Sequence, residues 1–238
     1  MRMSHGVVSF GREKIEFSFC HVDRKTLEIA VHPNQAVVVK APLGVVPEQI
    51  HRRVARRARW IIKQRNYFRQ FEPRTPVRAY VGGETHLYLG KRYRLKIKKS
   101  GRRNEIKLMR GYFEVHVKGH TSSDKIKCLL DEWYAKKAAG KFREHFEQCW
   151  PYFNKLSLPQ PKLQIKQVKK RWGSLSRRGM LTLNIDLIRA PKECIDYVVT
   201  HELCHLKYKD HGPKFYKLLE KIMPDWEKRK LKMERALS

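Results

Sequence analysis

The sequence predicts an α+β fold: a basic, β-rich first part carrying one long helix, then a second part built from a helix, a small sheet and two more helices. Short β-branched or alternating runs fill residues 1–45 and 87–117. A composition shift follows Gly119, where Thr121-Ser122-Ser123-Asp124 can cap a helix. Beyond it, strands alternate with amphipathic helical stretches. The expected division is therefore 1–120 and 121–238.

In the first part, Val7–Phe10, Ile15–Phe19, Leu27–Val31 and Ala36–Val39 read as strands, with a turn at His32-Pro33-Asn34-Gln35. Pro47 suits the start of a helix reaching about Phe71, with Ile50, Val54, Ile61 and Phe68 as its core stripe. Arg52, Arg53, Arg56, Arg57, Arg59 and Lys63 line much of its remaining surface. Such stems can cover apolar surface with their heads in water, and such heads can also face phosphates. Leu87–Lys91 reads as a strand and bend. In the next strand Tyr93, Leu95 and Ile97 point inward, and Arg92, Arg94, Lys96 and Lys98 outward. Lys99, Arg102 and Arg103 extend that positive patch. Ile106–Leu108 and Phe113–Val117 form a hairpin around Arg110-Gly111.

In the second part, a helix runs to about Cys149 with Ile126, Leu130, Trp133, Phe142 and Phe146 buried, and Pro151, Pro159 and Pro161 end it. Leu163–Ile165 with Val168, and Leu181–Ile185, are strands. Pro191 opens a helix whose buried stripe is Ile195, Val199, Leu203 and Leu206. Asp210-His211-Gly212-Pro213 is a turn, and Phe215, Leu218, Leu219 and Ile222 mark the apolar face of the next helix.

Net charge is +30, from 53 Lys+Arg against 23 Asp+Glu. It divides as +18 over residues 1–120 and +12 over 121–238. An excess of this kind bears on partners and favours DNA or RNA, with a merely soluble surface as the alternative. No apolar run approaches the ~18–20 residues of a membrane span. Five scattered Cys without a C-x-x-C pair read as reduced thiols, and the N-terminus lacks a secretory pattern, so a cytoplasmic location is expected.

The chemistry concentrates in His201-Glu202-Leu203-Cys204-His205 and His211. Residues four apart share a helix face, so His201 and His205 point the same way and can hold one Zn²⁺. His211 follows at the spacing where metzincin-type peptidases place a third ligand. Three protein ligands leave a position for water, which is the mark of a catalytic zinc site. Glu202 is rotated about 100° from His201, so it borders the metal as a base without ligating it. Metzincins often leave this helix at a Gly; Tyr208 stands there here, so the exit must differ.

The chain resembles the YgjP-like family of metal-dependent hydrolases, related to the SprT-like and other minimal zincins. The matching segments are Arg24–Leu27, Val38–Val45, Tyr88–Leu95, Lys170–Ser174, Leu183-Asn184, Tyr197–Leu206 and His211–Phe215. The resemblance spans nearly the whole chain and is strongest over 162–226. It implies a zincin-like core over 121–238 and metallopeptidase activity, with His201, His205 and His211 as ligands and Glu202 as acid/base. Relatives often have Cys where Leu175 stands, and Ala where Cys204 stands. Cys204 reads as a small core residue and not as a fourth ligand.

Peptide hydrolysis is the leading expectation, with proteins held on nucleic acid as one substrate class. Tyr208, Tyr197 and Arg171 are candidates for stabilising an oxyanion. Trp172, and Leu181–Asn184 as an edge strand, are candidates for substrate contact, with plain core packing as the alternative for Trp172. Arg52, Arg53, Arg56, Arg57, Arg94, Lys96 and Lys98 are candidate nucleic-acid contacts. Two rival readings are a nucleic-acid-binding protein with a structural zinc, and a zinc amidohydrolase acting on a non-peptide amide.

Overall fold

A computed structural model describes residues 3–32, 34–71, 78–100, 103–169 and 171–237, with the side chain of Ser100 left aside. Pro33, Arg102 and Lys170, named above, lie outside the described residues. The fold is α+β, and it divides into two compact units, Met1–Arg74 and Thr75–Ser238.

The first unit contains β1 (Ser4–Phe10), β2 (Glu13–Val22), β3 (Glu28–Val31), β4 (Val37–Pro42), α1 (Pro47–Arg56) and α2 (Ala58–Arg69). The sheet order is β1-β2-β4-β3, with β2 and β4 parallel and the other pairs antiparallel. Alternation along β2 and β4 sends Ile15, Phe17, Val37 and Val39 to one face. Ile50, Val54, Ala58 and Ile61 cover that face from the helices. The long helix expected from about 47 to 71 is interrupted at Arg57 (φ −99°, ψ 4°). There the Arg57 N–H donates to Val54 O at 3.0 Å, a tighter 3₁₀-type bond that breaks the α ladder. Phe68 is half-buried among Tyr67 and its neighbours, outside the core stripe in which it was expected.

The second unit begins with β5 (Thr85–Tyr88), β6 (Lys91–Ser100), β7 (Glu105–Met109) and β8 (Tyr112–Lys118), in the order β5-β6-β8-β7. Arg110 (φ 46°) and Gly111 (φ 81°) make the left-handed turn between β7 and β8 that the hairpin pattern predicts. The long helix α3 (Ser123–Asn154) is capped by the Ser122 side chain and covers this sheet. Phe113 packs edge-on against Trp133 at 4.9 Å, and Tyr134 donates to Leu87 O at 2.7 Å. Because Leu95, Phe113 and Val115 share one core with α3, the division between units lies before β5, whereas composition suggested a boundary near residue 120. Helix α3 also runs past Pro151, its last turn held by fully buried Phe153. Trp133, expected in the core, is only half-buried.

After α3 come β9 (Lys162–Lys166), β10 (Gly173–Leu175), β11 (Met180–Asn184), a 3₁₀ turn (Ile185–Arg189), α4 (Lys192–Cys204), α5 (Pro213–Ile222) and α6 (Trp226–Leu237). The sheet order is β10-β11-β9. Strand β11 is therefore central, paired on both sides, and is not the edge strand expected at Leu181–Asn184. The β5–β6 turn abuts the start of α4: Leu89 and Gly90 N–H donate to Ile188 and Arg189 O. Gly90 has φ 78°, and a Cβ there would stand 2.8 Å from Pro191 Cγ, so only glycine fits the turn.

Candidate metal centre

Helix α4 is buried on most of its surface, which holds it at a fixed angle. Ile195, Val199 and Leu203 face the core. Asp196 accepts from His145 Nδ1 of α3 at 2.5 Å and pairs with Arg229 of α6 at 3.7 Å. The helix ends at Cys204 with His205 as its cap, so His205 sits at the rim and not within the rod.

The structure brings His201, His205 and His211 together: one nitrogen from each lies within 4.8 Å of the others. Nε2 of His201 and of His211 are 3.0 Å apart. His205 Nδ1 donates to Tyr208 O at 3.0 Å, which leaves its Nε2 for the shared point. Phe215 floors the group, its ring centroid 5.0, 4.7 and 4.8 Å from those of His201, His205 and His211. Burial, then His211 and His205, lower His201 to about 4, and burial lowers His211 too. Neutral imidazoles are the ligating form. A divalent cation among the three rings would take one nitrogen lone pair from each neutral imidazole. The donor set therefore fits a metal ion.

Glu202 is 9% exposed. Burial raises its carboxyl to about 7, opposed by a hydrogen bond from the Leu175 backbone N–H and by the charge of Arg171. Gly173 lies directly against it: a Cβ would stand 2.8 Å from Glu202 Cγ and 2.9 Å from Val198 Cγ1. The edge strand β10 thus touches α4 at this carboxylate.

The other expected site residues divide. Tyr197 is buried with its ring 5.7 Å from that of His201, and burial first, then nearby Glu234, raises its phenol well above the ordinary value. Arg171 is exposed on the Glu202 side. Tyr208 brings its carbonyl to the site, while its ring lies beside Lys207. Asn184 is consumed in structure: its Nδ2 donates to Val168 O (2.7 Å) and Arg171 O (3.1 Å), and its Oδ1 accepts from Asp186 N (3.2 Å). It holds the chain ahead of β10 and has no hydrogen left for substrate. Trp172 lines a concavity of about 250 Å³ with Arg78, Leu87 and Arg189, in which no triad residue takes part. Cys204 is fully buried, its thiol pushed up to about 12 by burial, as suits a core residue.

Sequence reasoning missed four contributors. Phe215 read as part of an apolar helix face, and Gly173 as part of the Lys170–Ser174 match, without its contact to Glu202. Tyr216 and Trp226 stack at 5.3 Å, with Tyr216 6.3 Å from His211, as an aromatic shelf beside the triad. No periodicity could place them, since they come from two different helices.

Among the expected phosphate contacts, Lys98 binds Glu114 at 2.8 Å and Lys96 lies 4.0 Å from it. Arg94 is exposed on the same strand. Arg52, Arg53, Arg56 and Arg57 belong to the first unit. Among the described residues, no helix is long and apolar enough to cross a membrane.

Three convergent imidazoles beside a buried carboxylate form a candidate metal site. The model of the family described as YgjP-like, metallopeptidase domain, matches residues 25–236, and the chain belongs to that family. Two solved metallopeptidase zymogens are similar over part of the chain. Jannalysin of Methanocaldococcus jannaschii is 24% identical, covering 41% of this chain and 91% of its own, with a TM-score of 0.37. Abylysin of Pyrococcus abyssi is 22% identical, covering 38% and 87%, with a TM-score of 0.34. No curated protein matches the chain.

Proposed function

We propose that the chain is a zinc-dependent peptidase, holding one Zn²⁺ through His201, His205 and His211, with Glu202 as general base. The observation that carries this is a nearly buried carboxylate one residue from a ligating imidazole, with two further imidazoles converging on the same point. Zinc held by these three imidazoles would supply Lewis acidity to the scissile carbonyl and to the attacking water. Glu202 accepts a proton from the attacking water and hands it to the leaving amine. Its burial places the carboxyl near neutrality, where accepting and releasing a proton are both accessible.

The backbone around the site serves the same end. The Leu175 N–H fixes one carboxylate oxygen of Glu202. Strand β10, with β11 on one side only, has the free edge that can align an extended peptide. To Arg171, whose charge reaches Glu202, and to Tyr197, whose ring lies 5.7 Å from that of His201, we assign the steadying of negative charge on the substrate. The charge of +30 favours substrates that are themselves carried on nucleic acid, in a reducing cytoplasm that suits the five free cysteines.

The test is cleavage of casein by the purified chain with and without a zinc chelator. Cleavage lost on chelation and restored by Zn²⁺ is expected. Cleavage indifferent to the chelator would refute the proposal.

A further inference from the structure

Within the first unit, α1 and α2 carry a feature that the hydrolytic site does not use. From Pro47 to Arg69 there are eight cations and one acid, Glu48. Arg53 and Arg56 of α1, Arg57 at the break and Trp60 of α2 come together as one stripe along the same concave surface. The stripe borders a concavity of about 560 Å³ that Leu27 and Ile29 also line. Trp60 is 39% exposed there. Among the described residues, Arg53, Arg56 and Arg57 make no salt bridge; the ion pairs of this unit lie elsewhere, at Arg24–Glu28.

A row of guanidiniums on a helix is by itself a solvated surface. Two things distinguish this one. A large aromatic stands exposed among the cations, where burying its ring would favour folding. Apolar side chains line the same concave space, which is large enough for a base.

We propose that Arg53, Arg56, Arg57 and Trp60, with Leu27 and Ile29, bind single-stranded nucleic acid. The guanidiniums hold successive phosphates bidentately, and the Trp60 indole stacks on an unpaired base resting against Leu27 and Ile29. A duplex keeps its base faces covered by their neighbours and offers Trp60 no partner. An acidic protein segment supplies charge but no flat face to stack. The inference rests on the first unit alone and does not require the hydrolytic reading.

The experiment is fluorescence anisotropy of end-labelled oligo-dT and oligo-rU of about 20 nucleotides with the full chain, competed by duplex DNA and polyglutamate. Binding is expected to weaken with salt, and single strands should compete better than duplex or polyglutamate at equal charge. A preference for dT or rU decides which polynucleotide is held. Trp60→Ala should weaken binding about tenfold or more, and Trp60→Phe should keep most of it. Replacing Arg53, Arg56 and Arg57 together by Gln should lower the slope of log affinity against log salt by about 2. Glu202→Gln should bind as wild type, so a failed catalytic proposal and a failed binding proposal give different results. Unchanged affinity in Trp60→Ala, or equal competition by duplex or polyglutamate, would overturn the site and leave only diffuse attraction to a basic chain.

Discussion

Gly173 leaves no room for a side chain beside Glu202: a Cβ on the first would stand 2.8 Å from Cγ of the second and 3.0 Å from its Oε1. A sheet edge is thereby pressed onto the helix that carries the triad. Gly173→Ala should push the carboxylate aside while leaving the three imidazoles in place. Activity is expected to fall on the order of 100-fold, since a displacement near 1 Å has that effect, with zinc content unchanged. Metal analysis and peptide turnover on one sample check it. Normal turnover would mean that the contact is not needed.

Metal should stabilise the fold. A ligand that binds only the folded state at 100 times its Kd contributes about 2.7 kcal/mol. For a chain of this size that is on the order of 5–10 °C in Tm. Thermal scans with and without Zn²⁺ should show the rise in wild type and not in His211→Ala. Because His211 is exposed, that variant should fold.

Asn184→Ala should act on stability before chemistry. It removes the buried amide that ties Val168, Arg171 and Asp186 together. Unpartnered carbonyls of this kind cost roughly 1–3 kcal/mol each, read as a lower midpoint in urea. A variant as stable as wild type but inactive would return Asn184 to the substrate.

How much could be read beforehand follows from how local each feature is. The triad is legible because helical spacing and a short turn bring its members together with little help from distant chain. The alternation in β2 and β4, the β7–β8 turn at Arg110-Gly111 and the cap at Ser122 are equally local. The Gly173–Glu202 contact is not, since it depends on how β10 docks against α4 from some thirty residues away in sequence. The same holds for β6 pairing parallel with β8 while β7 lies outside, and so for the core that joins these strands to α3. Reading β11 as an edge failed because strand order is a tertiary property; alternation shows only which face is buried.

Acid should weaken the second unit through His86, which is 1% exposed. Burial, then Arg78, lowers it from 6.5 to about 4, against the attraction of Glu84; Arg189 adds to the lowering. A His lowered on folding takes up its proton more readily in the unfolded chain, so acid favours unfolding. Its penalty is absent above about pH 6.5 and grows as pH falls from 6.5 towards 4. Glu84, itself lowered from 4.5, adds its own loss only below that value. Urea unfolding at pH 7 and pH 5 should show the decline in wild type and a flatter profile in His86→Leu. Equal slopes would exclude His86 as the source.

The aromatic shelf should act on binding. Trp226→Ala removes the ring that backs Tyr216 beside His211. It is expected to raise KM roughly 3–10-fold with kcat little changed, as for the loss of one aromatic pair. A fall in kcat alone would place the shelf in the chemistry.

Glu202 performs the proton transfer at a metal held by three histidines in the proposed reaction. Zinc content and casein cleavage measured on the same preparations, wild type beside Glu202→Gln, with and without DNA, test it most directly. Zinc near one equivalent is expected in both, and cleavage in the wild type alone. Full cleavage by Glu202→Gln would contradict it.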